Sequence, residues 1–410
     1  LQCMVVGLLA LFTGAGWLVA RPDILAIRYA SDAVAVTHLF ALGWLCSVVM
    51  GAMYQLVPVA LETKLYSERL AQWQFAFHVV GFIGMVLMFR IWSMKWLGYF
   101  GAVLTVGVAL FAYNIARTLL RVPKWNVIAT GVTSAVVWLL LTIAAGLLLV
   151  AGQRGFAPAL RFNLIAAMNA HAHLGAIGFF TMLIAGVSYK LVPMFTLSEI
   201  QDHRRATASV VLLSVGLAGL FFGILLQKPW KLFFAFITIA ALALHSWELK
   251  AILRTRKRRA LDWGITYFLT AVAMLFPLSA IALALCWPGL PATEFTRRLE
   301  IAYGFLGFIG FVSFAILGML YKIIPFLIWF GIYSKHIGRA QVPALAAMYS
   351  APLQAAGYWT FLAGLLVTTA AILLASIASV RAGCGLLALS LAIFAVNVGK
   401  ILSHYFRPKL

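Results

Sequence analysis

The feature that most constrains this chain is the repetition of apolar runs, each close to the roughly 20 residues that a helix needs to cross a bilayer. Hydrophobic residues make up 64% of the 410 residues and charged residues only 10%, too apolar for a soluble domain. We therefore predict an all-α integral membrane protein with twelve transmembrane helices. The predicted helices begin near Met4, Ala33, Trp73, Trp96, Ile128, Asn163, Ala206, Trp230, Trp263, Leu299, Leu353 and Gly383.

The formal net charge of +21 does not indicate nucleic-acid binding, because the basic residues lie in short loops between the apolar runs. Loops on the cytoplasmic side of a membrane carry an excess of Lys and Arg, so this charge indicates topology. It places both termini in the cytoplasm. The densest cluster, Arg254 to Arg259, joins helices eight and nine, and we interpret it as a cytoplasmic anchor that also contacts anionic lipid.

One helix sequence occurs three times, from His38 to Pro58, from His173 to Pro193 and from Phe305 to Pro325. In each copy, glycines follow the first residue by five and thirteen positions, a tyrosine by sixteen and a proline by twenty. The copies lie on helices two, six and ten, which predicts three pseudo-repeated four-helix units within one transmembrane domain. The predicted units are residues 1–125, 126–260 and 261–410. A weaker echo on helices four, eight and twelve matches Asn114, Trp247 and Asn397.

Three histidines lie near the starts of helices two and six, in one layer at the predicted outer face. They are His38, His171 and His173. An ionisable side chain within a bilayer is costly and needs a partner, and a buried neutral imidazole is a common axial ligand of haem iron. We predict that all three are metal ligands. The alternative is that they hydrogen-bond backbone carbonyls or line a water-filled cavity.

The repeat also predicts where these side chains point. Residues two apart on an α-helix are rotated by about 200°, so His171 and His173 face nearly opposite directions. His38 and His171 then converge between helices two and six, whereas His173 faces Tyr303, the third-repeat equivalent of His171. Phe305 takes the place of His38 and His173 and faces a space without a ligand. We expect Tyr303 and Phe305 to line the cofactor layer.

The remaining polar residues give weaker signals. His78 and His245 either form a second metal site or serve as polar packing partners, and His404 is expected to be solvated or interfacial. Glu248 is the only acidic residue clearly within a predicted helix, where we expect an interfacial ion pair. The four cysteines form no Cys-x-x-Cys-His run, so any haem is non-covalent.

Two segments resemble motifs of subunit I, the catalytic subunit of haem-copper oxidases, nearest the nitric oxide reductase and cbb3-type branches. The segment on helix six looks like the family's tenth-helix motif: His171-Ala172-His173-Leu174 with Gly178 and Pro193. The segment on helix two looks like the family's second-helix motif: Thr37-His38 with Trp44, Gly51, Tyr54 and Leu56-Val57-Pro58. The resemblance implies twelve helices in three arcs with haems near the outer face.

The chain departs from this family where the family binds its second metal. The family's copper or non-haem iron site takes one histidine from helix six and a pair from helix seven, but the predicted helix seven, Ala206 to Leu226, has neither histidine nor carboxylate. We therefore predict no binuclear centre and no copper. Motif order in the family pairs His38 with His173 on the low-spin haem. The repeat pairs His38 with His171, and we favour that pairing while leaving both open.

The leading functional prediction is a membrane-embedded b-type haem protein that carries electrons without reducing oxygen. It holds one bis-histidine haem, with a second haem left open, and serves an outer-face redox protein or a larger respiratory complex. Quinol is kept as an alternative partner, and the predicted location is a bacterial or archaeal cytoplasmic membrane. Two other functions are kept. One is a nitric oxide- or oxygen-binding enzyme or sensor with a five-coordinate haem at His173, and the other is a metal or haem transporter or assembly factor.

Overall fold

The computed structural model describes residues 2–27, 29–153 and 162–408. Within them all regular structure is helical, and twelve helices are long and apolar enough to cross a membrane, which confirms the predicted class. The terminal residues Leu1, Lys409 and Leu410, predicted to be cytoplasmic, lie outside this part of the chain. Helices α1 to α12 are Gln2–Ala20, Ser31–Ala60, Glu68–Arg90, Met94–Leu119, Val127–Gln153, Leu164–Thr196, His203–Leu225, Lys231–Arg254, Trp263–Cys286, Glu294–His336, Ala351–Leu373 and Ile377–Phe406.

The chain divides into two compact units, which are described separately. The first comprises Leu1–Gly14, Ile27–Arg259 and Leu275–Arg297. The second comprises Ala15–Ala26, Ala260–Met274 and Arg298–Leu410. The predicted three-repeat boundaries stay a prediction.

Polar caps fix several helix starts. The Asp202 carboxylate accepts the backbone N–H groups of Arg204 and Arg205 at 2.9 and 3.0 Å at the start of α7. Ser67 Oγ accepts the N–H of Leu70 at 3.2 Å at the start of α3. These bonds satisfy donors that have no partner within the helix. The hydrogen bond from the Arg205 backbone, supported by Arg204, holds the pKa of Asp202 below its ordinary value.

Helices α2, α6 and α10 each contain a π-helical segment at the same place in the repeated motif. The segments are Leu39–Cys46, Leu174–Thr181 and Leu306–Ser313. Each begins one residue after the first residue of the motif, so a wider turn follows His38, His173 and Phe305. Isolated π turns of this kind are frequent at functional sites.

Hydroxyl groups satisfy carbonyls that the π turns leave without their usual partner. Thr181 and Ser313 donate to the carbonyls five residues earlier, at 2.8 and 2.7 Å. Ser47 does the same to Leu42 at 3.3 Å. The three wide turns are therefore stabilised by one type of side-chain bond.

Buried asparagines hold the chain just before α3 and α11. Asn114 accepts the N–H of Ser67 at 3.0 Å and donates to its carbonyl at 2.8 Å. Asn397 makes the same two bonds to Ser350, at 2.8 and 3.0 Å. The partners are 47 residues apart in both cases.

Glu248 makes the corresponding contact before α7. Its carboxylate accepts the N–H of Gln201, 47 residues earlier, at 2.7 Å, and also the side chain of Arg205 at 2.7 Å. The repeat alignment predicted Trp247 as the equivalent of the two asparagines. The residue that makes the equivalent contact is Glu248, one position later. The expected ion pair of Glu248 is found with Arg205, and the Glu248 side chain is fully buried.

Candidate functional site

The three predicted ligands lie on α2 and α6, within the first unit. His38 is the last residue before the π segment of α2, and His173 holds the same place in α6. All three side chains keep part of their surface accessible. The Nδ1 atom of His171 is nevertheless buried.

His38 and His173 have the same hydrogen-bond geometry. Nδ1 of His38 lies 2.8 Å from the carbonyl oxygen of Val34, and Nδ1 of His173 lies 2.8 Å from that of Asn169. A carbonyl can only accept, so Nδ1 carries the proton in both rings and the lone pair is on Nε2. Histidines that bind metals are oriented in this way by a partner on the other nitrogen. Both rings therefore fit an axial ligand of haem iron.

The His171 ring is held differently. Its Nδ1 is buried without a hydrogen-bond partner among the described residues, although the backbone of Thr142 is within reach of the ring. A Cβ built on Gly146 of α5 would lie 3.1 Å from His171 Cε1. Glycine at that position therefore makes room for the imidazole. An unpaired buried nitrogen costs about 1–3 kcal/mol, which a hydrogen bond or a ligand at Nδ1 would offset.

His38 and His171 lie close enough for a charge on one ring to affect the other. Phe89 of α3 packs on the His38 ring, with centroids 4.2 Å apart and an interplanar angle of 30°. The two histidines that the repeat argument paired thus lie on the expected helices, within range of an electrostatic interaction. Ligation of one iron by both stays a prediction.

A contact that the sequence did not predict holds the start of α6. Tyr29 Oη donates to Asn169 Oδ1 at 2.9 Å. The backbone carbonyl of the same asparagine accepts a hydrogen bond from His173 Nδ1. Tyr29 has φ +65°, in the left-handed region that a bulky side chain adopts only under constraint. Asn169 lies one turn before His173, so the sequence alone could have drawn attention to it. Nothing in the sequence indicated its partner Tyr29, which is 140 residues away.

Tyr303 and Phe305 lie on α10 in the second unit, so their predicted places beside the cofactor and opposite His173 stay predictions. Phe305 is buried and Tyr303 is partly accessible. No described atom lies within 4 Å of a Cβ built on Gly304 or Gly307. This stretch of α10 thus has open space along one side.

His78 and His245 have the contacts of polar packing partners, the alternative to a second metal site. His78 Nε2 lies 3.0 Å from Ser47 Oγ and 3.1 Å from the carbonyl of Leu42, inside the π segment region of α2. His245 Nδ1 lies 3.0 Å from Tyr189 Oη. Each ring is therefore held by groups on a neighbouring helix.

Two expectations for other histidines were wrong. His404, expected at a solvated or interfacial place, is buried, and its Nδ1 lies 2.7 Å from Tyr333 Oη. Helix α7 begins at His203 rather than at Ala206, so it contains one histidine. His203 is exposed at the start of that helix. It follows the end of α6, whereas His171 and His173 lie near the beginning of α6.

The sequence matches no protein-family model, and no curated protein is significantly similar to it. The interpretation of the site therefore depends on its own geometry.

Proposed function

We propose that this protein is a membrane-embedded b-type haem protein, related to subunit I of haem-copper oxidases, that carries electrons without reducing oxygen. The observation that supports this most is the histidine geometry of α2 and α6. His38 directs its Nδ1–H to its own helix and keeps the lone pair on Nε2, and His171 on α6 is within range of an electrostatic interaction with it. Haem, when bound, supplies reversible one-electron chemistry.

The chain's own residues have distinct roles in this proposal. His38 binds through Nε2, and the Val34 carbonyl fixes its tautomer and raises its basicity. Phe89 limits rotation of the ring and excludes water from one of its faces. His171 supplies the second imidazole in the space that Gly146 leaves. With both imidazoles bound to its iron, a haem would supply electron transfer and would have no place for a gas.

The same proposal includes the finer architecture. Three four-helix pseudo-repeats are supported by the matched π segments of α2, α6 and α10. They are also supported by the contacts made at a spacing of 47 residues by Asn114, Glu248 and Asn397. The histidines then lie at the outer face of a bacterial or archaeal cytoplasmic membrane. A redox protein on that face or a larger respiratory complex exchanges electrons there, with quinol as the alternative.

A reduced-minus-oxidised optical spectrum with haem quantification tests this proposal. We expect purified protein to contain haem b with a low-spin spectrum, and His38→Ala to lose it. His336→Ala is the matched control, because His336 is partly exposed at the end of α10, far along the chain from the three candidate ligands. Protein that folds but shows no haem absorption contradicts the proposal. Binding in small, variable amounts would instead indicate a transporter or assembly factor.

A five-coordinate haem at His173, in a gas-binding enzyme or sensor, is the second candidate. The Nδ1 bond to Asn169 favours it, because the ring is oriented as a proximal ligand should be. Carbon monoxide would then shift the reduced spectrum of the wild type, and His173→Ala would abolish the shift. A reduced spectrum unchanged by carbon monoxide excludes this candidate.

A further inference from the structure

The loop between α8 and α9 forms a cap on the end of α6. The backbone N–H groups of Lys257 and Arg258 donate to the carbonyls of Leu197 and Thr196 at 3.2 and 3.1 Å. The Arg258 guanidinium donates to the carbonyl of Phe195 at 3.3 Å. The last carbonyls of a helix have no partner within it, so this loop satisfies them. Its backbone is therefore held in one place.

The cap divides the basic side chains of the loop into two groups. Arg256 donates to a carbonyl in the last turn of α8 at 2.7 Å, and Arg258 caps α6, so both guanidinium groups bind backbone carbonyls. Arg254, Lys257 and Arg259 are exposed, and no ion pair to them is found among the described residues. These three side chains, the exposed cations, are presented from a fixed backbone.

No acidic side chain on the neighbouring helices is available to neutralise the exposed cations. Glu248 is buried in its ion pair with Arg205. Asp202 is occupied as the N-terminal cap of α7. Glu199, in the loop after α6, is exposed. The three exposed cations therefore outnumber the one exposed carboxylate near them, and a net positive charge remains.

Exposed apolar side chains lie next to these cations. Leu197, whose carbonyl binds the loop, is 56% exposed, and Trp247 is 60% exposed. Trp247 and Arg254 are seven residues apart on α8, about two turns, and share one face. Tryptophan is enriched where hydrocarbon meets headgroups, and Arg205 stacks over the Trp247 ring at 4.7 Å.

We propose that Arg254, Lys257 and Arg259 bind the phosphate of an anionic phospholipid whose acyl chain lies along Leu197 and Trp247. The cations provide the charge that a lipid phosphate needs. The exposed apolar side chains beside them fit an acyl chain, which a soluble phosphate does not have. Binding at this end of α6 is independent of the haem proposal.

Tryptophan quenching in nanodiscs tests this site. The probe is phosphatidylglycerol brominated in its acyl chains, at low mole fraction in phosphatidylcholine, with brominated phosphatidylcholine at the same fraction as comparison. The chain has 13 tryptophans, so the signal of Trp247 is the difference between wild type and Trp247→Phe. We expect Trp247 to be quenched preferentially by the anionic lipid. Equal quenching by both lipids overturns the proposal.

Two double variants assign the effect to the loop. Arg254→Gln/Lys257→Gln should weaken the apparent affinity about thirtyfold, since each cation near an anionic surface contributes about fivefold. Lys95→Gln/Lys228→Gln removes two exposed cations from other parts of the chain and should leave affinity unchanged. An unchanged affinity in the first variant, with its helical circular dichroism intact, contradicts the proposal. Displacement of the brominated lipid by inorganic phosphate would assign the site to a soluble anion instead.

Discussion

The three copies of the repeated helix have the same backbone feature but different chemistry at its start. Helices α2 and α6 have His38 and His173 before the π segment, with both rings bonded to a carbonyl one turn earlier. Helix α10 has the buried Phe305 there. Because the π segment forms in all three, the histidines do not cause it. The shared glycine, tyrosine and proline spacing accompanies the backbone shape, and the residue before the wide turn determines the chemistry.

Replacing His38 with alanine should have the largest effect. It removes the ring whose tautomer is fixed by Val34, and we expect nearly complete loss of low-spin haem from protein that still folds. Haem is measured by the pyridine haemochrome method and folding by circular dichroism. His336→Ala, which removes a partly exposed histidine at the end of α10, should retain the haem of the wild type. Equal loss in both variants would show that the haem is lost for a reason other than ligation.

Glu248 tests the difference between a charged and a neutral side chain at matched positions. Glu248→Gln leaves the Arg205 guanidinium without its buried partner and should destabilise the protein by about 3–5 kcal/mol. Asn114→Asp makes the opposite change, from a neutral to a charged side chain, at the matched position of α4. Glu248→Gln/Arg205→Met should recover most of the loss, as measured by denaturant or thermal unfolding. A double variant no more stable than Glu248→Gln would show that the charge is not the cause.

A substitution at Gly146, the glycine beside His171, distinguishes the two possible partners of His38, which are His171 and His173. Gly146→Ala places a methyl group 3.1 Å from the ring, and a shift of the ring should weaken haem retention about tenfold, or about 1.4 kcal/mol. Gly304→Ala on α10, where the Cβ meets open space, should change nothing. Haem retention is measured by transfer to apomyoglobin. Retention unchanged in Gly146→Ala would argue for His173 as the partner of His38.

The bond from Tyr29 to Asn169 should give the smallest effect. Tyr29→Phe removes one hydrogen bond and should lower the free energy of unfolding by about 1 kcal/mol. Tyr99→Phe, an exposed tyrosine, is the control and should be neutral. If the bond also orients His173, the carbon monoxide spectrum of a haem bound there should shift in Tyr29→Phe. A stability equal to the wild type would show that the strained conformation of Tyr29 offsets its bond.

The sequence predicted those features that depend on composition and local spacing. Twelve apolar runs predicted twelve helices, and the histidines lie on the expected helices. The π segments were not predicted, because a widened turn depends on packing and has no residue signature of its own. The role of Glu248 and the burial of His404 were missed for a related reason. Their partners, Gln201 and Tyr333, are 47 and 71 residues away along the chain, beyond the reach of helix or strand periodicity.

The measurement that tests the central claim most directly is the low-spin haem content of His171→Ala compared with His173→Ala. The two histidines are two residues apart on α6, and each variant is the control for the other. The account predicts that His171→Ala, like His38→Ala, loses the bis-histidine spectrum and that His173→Ala keeps it. Loss in His173→Ala with retention in His171→Ala would contradict the proposed ligand pair, and wild-type protein without haem would contradict the function.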